Sequence, residues 1–236
     1  MDKNHRFGLI VPSPNVVIEP EFYSINLKEV CFYTSRVLSS SCTPQELQKM
    51  GGYTERAALE LSTACVDAIL YACTAGSLIK GLDWEKKLVK RINEISQTPT
   101  ISTAGAVIEA LHFMKIYKVH MFTPYIDEIN LEEKKFLEQS GIDVLGMKGL
   151  GITKSVEIAD VNPDLIFNEV VDLYKKDQSI QGIFISCTNF KTFPIIDKIE
   201  NYLNIPVITS NQASLWNLLN IIKFNKPING LGQLFK

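Results

Sequence analysis

Cys73 and Cys187 each follow a short apolar run and each precede a threonine: residues 67–74 read DAILYACT and residues 181–188 read QGIFISCT. A thiolate at a strand end is a nucleophile or a base, and a second thiol opposite it is an acid. Two sulfurs on opposite faces of one bound carboxylic acid can move a proton across a stereocentre. They can equally add sulfur to an alkene and later release it. Neither reaction requires a metal or an organic cofactor. Nearby backbone amide dipoles are expected to draw such a thiol from its usual pKa of about 8.5 toward neutrality. One strand-end cysteine would read as ordinary burial, since cysteine is among the most buried residue types. Two at matched positions of a repeat favour function.

The match extends along the chain. An apolar run ends in Pro12 and another in Pro124, and the spacing to the following Cys-Thr is 61 positions in the first case and 63 in the second. Downstream, Pro99 to Thr103 (PTIST) is echoed by Pro206 to Ser210 (PVITS), and each leads into a helix-like run, 104–114 and 211–222. Three landmarks recurring in order, at offsets of 112, 114 and 107, point to internal duplication.

The elements that must position these residues read as an α/β chain. Strands are expected near 6–11, 30–38, 67–72, 99–102, 118–122, 142–147, 181–186 and 205–209, with amphipathic stretches between them. Near-continuous apolar strands between helices indicate parallel sheets covered on both faces. Thr43, Pro44 and Glu46 offer a capping box. Asp83 can cap a helix over 84–94, Asp164 sits early in a helix ending near Lys176, and Gly141 suits the left-handed end of a helix over 126–140. Ligands of such sheets bind beyond the carboxyl ends of the strands. Both Cys-Thr pairs lie there, with Ser13 and Asn15 after the first strand and Tyr125 after Pro124.

A carboxylate can be held by hydroxyls, amides and backbone N–H groups without an arginine. Ser13, Asn15, Thr74, Tyr125, Thr188 and Asn189 supply such donors, and the small-residue loop from Cys73 through Thr74 and Ala75 to Ser77 can aim several amides at one anion. Cys31, Cys42 and Cys65 read as structural. His5, His112 and His120 lack metal-ligand spacing, so no metal site is expected. Trp84 and Trp216 read as core or interface residues.

The chain has 236 residues, with 24 basic against 26 acidic side chains, which allows one large domain or two lobes and gives no basic surface for nucleic acid. No apolar run is long enough to span a membrane, and residues 1–6 lack the apolar core of a signal peptide. Five cysteines with no close-spaced pair argue against a disulfide framework and fit a reducing cytoplasm.

Together these segments resemble the aspartate/glutamate racemase superfamily, in its maleate cis–trans isomerase and arylmalonate decarboxylase branch. The resemblance rests on residues 8–15 (GLIVPSPN) with Glu19 to Glu21, on 73–77 (CTAGS), on Thr123 to Tyr125, on 186–192 (SCTNFKT), and on Ser210 to Ala213 with Trp216. It implies two Rossmann-like (flavodoxin-like) lobes with the active site between them. Residues 1–115 and the C-terminal segment 211–236 would form lobe 1, and 116–210 lobe 2. It also implies a homodimer acting on a small carboxylate or dicarboxylate. By likeness to the isomerases, Cys73 adds to the double bond of maleate and Cys187 protonates the neighbouring carbon, while Asn15 and Tyr125 hold the carboxylates. The pattern departs at Pro14, where the isomerases tend to carry serine, and at Ser155, which takes the place of a carboxylate-binding asparagine. The alternatives are a racemase working by two-base proton transfer, a decarboxylase using Cys187 alone, and a carboxylate-binding protein without catalysis.

Overall fold

The structure is a computed structural model that describes residues 4–236. Met1 to Lys3, the start of the polar N-terminal stretch and of the expected first lobe, lie outside the described residues. The first half runs β1 (His5–Pro12), α1 (Ile18–Ser24), β2 (Val30–Val37), α2 (Pro44–Gly51), α3 (Thr54–Thr63), β3 (Ala68–Tyr71), α4 (Thr74–Leu78), α5 (Leu82–Ser96), β4 (Thr100–Ser102) and α6 (Thr103–Phe113). The second runs β5 (Lys118–Thr123), α7 (Asp127–Gln139), β6 (Asp143–Gly149), α8 (Ser155–Ile158), α9 (Pro163–Lys176), β7 (Gly182–Ile185), α10 (Ile196–Leu203), β8 (Val207–Thr209) and α11 (Ser210–Ile221).

All strand pairings are parallel, in two four-stranded sheets ordered β2-β1-β3-β4 and β6-β5-β7-β8. The identical order is the architectural counterpart of the sequence repeat. In each sheet the chain reverses its direction of winding between the first and third strands, which is where open α/β sheets bind ligands. The central strands are buried on both faces: Phe7, Leu9, Ile10 and Val11 in β1, all of β3 and all of β7. Each such Leu, Ile or Phe contributes about 1.5–3 kcal/mol through burial.

The expected strands are all present. β6 continues to Gly149, beyond the expected end at 147, after a register irregularity opposite Val119 and His120. Helix ends differ more. Thr43 precedes α2 in extended conformation with Pro44 at its first position, but its side chain makes no cap; Glu46 instead accepts from Ser40 Oγ at 2.6 Å and pairs with Lys49 at 2.8 Å. The capping box forms at α11, where Gln212 N donates to Thr209 Oγ1 at 3.2 Å and Thr209 N donates to Gln212 Oε1 at 2.9 Å. Asp83 lies inside the first turn of α5, which Gly81 caps, and favours the helix dipole from there. Asp164 lies in the first turn of α9 and the helix ends at Lys176, as expected; Asn162 caps it by accepting from Asp164 N at 2.9 Å. Gly141, with φ +82°, follows α7 as expected. Cys65 is exposed rather than buried, because α3 ends at Thr63 and Cys65 turns left-handed at φ +51°.

α11 packs on α6 and touches β3 and β4 of the first sheet as well as β8 of the second. On this packing we propose the lobe division 1–115 with 211–236, and 116–210. The tail refines it: Gly232 N donates to Asp197 Oδ1 and Gln233 N to Glu200 Oε2, both on α10 of the second lobe.

Candidate active site

The loops after β1 and β3 of one sheet face those after β5 and β7 of the other. Between them lies a small enclosed cavity of about 40 Å³. Cys73 and Cys187 both line it, with Asn15, Thr74, Ala75, Tyr125, Ser155, Thr188 and Asn189. Ser13 does not. Its hydroxyl accepts from Ser39 N at 3.1 Å and lies 3.3 Å from Ser39 O, so it fastens the loop after β2 instead.

Each cysteine is placed by its own turn. Cys73 caps α4, and its sulfur accepts from Gly76 N at 3.3 Å. Gly76 must be glycine here, since a Cβ would stand 2.7 Å from Met50 Cε, 2.9 Å from the Tyr71 hydroxyl and 3.0 Å from Cys73 Sγ. Trp84 Nε1 donates to Gly76 O at 3.2 Å, so this tryptophan supports the cysteine loop. Cys187 has φ +111°, a strained conformation for any side chain, and its sulfur accepts from Asn189 N at 3.3 Å. The amides of Thr74, Ala75 and Thr188 have no acceptor among the described residues and can serve a bound carboxylate.

The polar side chains divide between ligand and scaffold. Asn15 Oδ1 accepts from Val17 N and Ile18 N, starting α1, while its Nδ2 donates to Thr188 Oγ1 at 3.0 Å across the lobes. Thr188 Oγ1 in turn donates to Ala72 O at 3.1 Å, beside Cys73. Thr74 Oγ1 donates to Ser210 Oγ at 2.8 Å. The Asn189 side chain holds loops, accepting from Val16 N at 3.0 Å and donating to Ser155 O at 2.7 Å. The Ser155 hydroxyl has no partner among the described residues and lines the cavity, whereas Lys154 points outward to Glu157. Tyr125 is set by Thr123, whose Oγ1 accepts from Tyr125 N at 3.0 Å, and by Asn130, which donates to Tyr125 O at 3.2 Å.

The thiols depart from expectation in their electrostatics. Burial pushes Cys73 up to about 12, against which the Gly76 amide works, and the nearby Cys187 and Glu133 add to the rise. Burial pushes Cys187 up to about 11, opposed by the Tyr125 hydroxyl and the Asn189 amide. The expected fall toward neutrality does not occur, because one donor to Cys73 and three to Cys187, from Tyr125, Asn189 and Phe190, do not offset exclusion from water; Cys73 and Cys187 are only 7% and 6% exposed. Both thiols are therefore neutral at rest.

Several lining residues escaped the sequence reading. Cys42, Ser39 and Leu47 come from the segment after β2 and Ile158 from α8. The two segments meet where Cys42 N donates to Thr153 O at 2.9 Å, closing the cavity over. Glu133, behind the site, is fully buried; Ser186 Oγ donates to its Oε1 at 2.7 Å, and its Oε2 has no partner among the described residues. Burial raises its pKa to about 8. Its place on the apolar stripe of α7, with Ile129, Phe136 and Leu137, was the available signal.

Two flavodoxin-like lobes that present one thiol each to a shared, enclosed cavity define the class: a two-cysteine α/β fold with its site at the lobe interface. The chain belongs to the arylmalonate decarboxylase family, whose model matches residues 7–235. It is 26% identical to the maleate isomerase of Geobacillus stearothermophilus, across 99% of this chain and 98% of the relative. It is 24% identical to the arylmalonate decarboxylase of Bordetella bronchiseptica, across 97% and 95%. The crystal structure of a maleate isomerase variant from Pseudomonas putida S16 with maleate superposes with a TM-score of 0.95, at 25% identity over 99% of this chain and 98% of that one.

Proposed function

We propose that this protein is a cofactor-independent isomerase of a small cis-unsaturated dicarboxylate, with maleate as substrate and fumarate as product. The observation that carries the reading is the pair of thiols lining one cavity from opposite lobes. Its likeness to named maleate isomerases over nearly its whole length supports the choice of substrate. Decarboxylation of an arylmalonate fits less well, because Cys73 has no role in a reaction that needs Cys187 alone.

The chemistry needs one thiolate and one thiol at a time. Cys73, as thiolate, adds to one alkene carbon, and Cys187 gives its proton to the other. The double bond becomes a single bond and Cys187 holds the negative charge. After rotation about that bond, Cys187 removes a proton from the carbon it protonated, the double bond re-forms in trans, and Cys73 leaves as thiolate. The Gly76 amide supports charge on Cys73, and the Tyr125 hydroxyl and Asn189 amide support it on Cys187. The free amides of Thr74, Ala75 and Thr188, the second N–H of Asn15 and the Ser155 hydroxyl are the groups we assign to the carboxylates. A cytoplasmic homodimer belongs to the same reading; the five free thiols support the reducing compartment.

The test is conversion of maleate to fumarate followed by proton NMR. The wild type is expected to turn over, and Cys73→Ala and Cys187→Ala each to lose about a thousandfold or more. Turnover by both variants at the wild-type rate would remove the two-thiol mechanism.

A further inference from the structure

We propose that Ser210 is a positioning residue that sets the separation of the two reacting sulfurs from behind the cavity. Ser210 is the first residue of α11, is completely buried, and does not line the cavity. Its Oγ accepts from Thr74 Oγ1 at 2.8 Å and from Cys187 N at 3.0 Å. The residue next to one thiol is thus linked through a single oxygen to the backbone of the other. No other short path of hydrogen bonds among the described residues joins the two cysteines' own turns in this way, apart from the Thr188 hydroxyl bond to Ala72 O.

The repeat sharpens the point, because the two lobes differ here. Thr103 holds the matching place at the start of α6, yet its hydroxyl donates to Tyr71 O at 3.3 Å, and Cys73 N turns back to Tyr71 O of its own strand. Only Cys187 gives its N–H to a different element. Cys187 is also the one with a positive φ, so its backbone needs an outside restraint to persist. Ser210 supplies that restraint from a firm base: the Thr209–Gln212 capping box fixes the helix start, and α11 lies against α6 of the first lobe. An alanine at 210 would leave the Cys187 N–H buried without an acceptor and free Thr74 from the second lobe. A sulfur displaced by even 1 Å is enough to slow chemistry about 100-fold.

The consequence for turnover rests on the isomerase reading above, so the first readout is independent of it. Ethanediyl bismethanethiosulfonate can bridge two thiols only when they stand at the right separation, and the Cys73–Cys187 bridge is scored by peptide mass spectrometry. Ser210→Ala is expected to lower the bridge yield about tenfold and to lower kcat about 100-fold, with KM within about twofold. Ser210→Thr, which keeps the oxygen, is expected to restore most of both. If Ser210→Ala does not fold, Thr74→Val carries the test, since it cuts the link and leaves Ser210 in place; a lowered yield is again expected. A wild-type bridge yield in a folded Ser210→Ala or Thr74→Val protein overturns the proposal. Failure of the isomerase reading shows separately, as a wild-type protein that bridges normally and produces no fumarate.

Discussion

Charge on the two sulfurs is governed at the residue scale by burial against a few donors, and burial wins. Both thiols sit well above the ordinary thiol range, so the reactive thiolate is a minor species at neutral pH. Iodoacetamide alkylation of Cys73, followed peptide by peptide, is expected to climb about tenfold per pH unit from about pH 7 to 8. Glu133 is half ionised near pH 8, and its charge opposes thiolate formation on both sulfurs, so the climb is shallower around pH 8 than on either side of it. Glu133→Gln should keep the climb going. A rate already level at pH 7 would mean that the thiolate is preformed and that the buried-thiol picture is wrong.

At the scale of elements, the turns rather than the strands carry the specificity. Cys187 at φ +111° is held where glycine is at ease. Cys187→Gly is therefore expected to be more stable than Cys187→Ala by about 1 kcal/mol, measured by urea denaturation. The reverse order would show that the conformation carries no strain. Gly76→Ala should cost about 1–3 kcal/mol, because the new methyl meets Tyr71 and the sulfur it is meant to support as well as the flexible Met50. The central strands β1, β3, β5 and β7 were legible in the sequence because each is a short apolar run that leads into a proline or cysteine. The two thiols and Asn15, Thr74, Ala75, Tyr125, Thr188 and Asn189 were legible as lining residues because strand ends and the repeat located them, and Ser155 only through the family resemblance. Cys42 and Ile158 were not, since long-range loop closure brings them in and no local pattern encodes it. Ser13 looked like a ligand donor because residue type does not reveal which hydrogen bonds are already taken.

The whole molecule is two lobes fastened by buried polar groups. Glu21 on α1 reaches into the second lobe, where it accepts from Thr192 N at 2.5 Å and Phe193 N at 2.8 Å, and it also accepts from Asn211 Nδ2 at 2.7 Å at the start of α11. Asn211 Nδ2 also lies 3.1 Å from Thr188 O, so this strut ends beside the site. Burial raises Glu21 from 4.5 to about 7 despite those donors. A carboxyl that holds its proton more tightly when folded lends stability that is complete below its unfolded pKa and is lost as pH rises through its folded pKa. Stability should therefore fall between about pH 4.5 and 8 as Glu21 and then Glu133 ionise, by an amount on the order of 3 kcal/mol for Glu21. Thermal midpoints across that range test it, with Glu133→Gln expected to flatten the upper part. A midpoint that rises toward pH 8 would contradict the sign. The Cys42 N–Thr153 O bond joins the two segments that border the cavity between the lobes.

The division of labour between the thiols is tested most directly by trapping the adduct. Cys187→Ala incubated with maleate lacks the base that takes the proton back, so an adduct whose neighbouring carbon has been protonated by water persists. Peptide mass spectrometry should then find one maleate-derived adduct, a succinyl thioether, on Cys73. An adduct on another cysteine, or undiminished fumarate production with no adduct at all, would contradict Cys73 as nucleophile and Cys187 as acid.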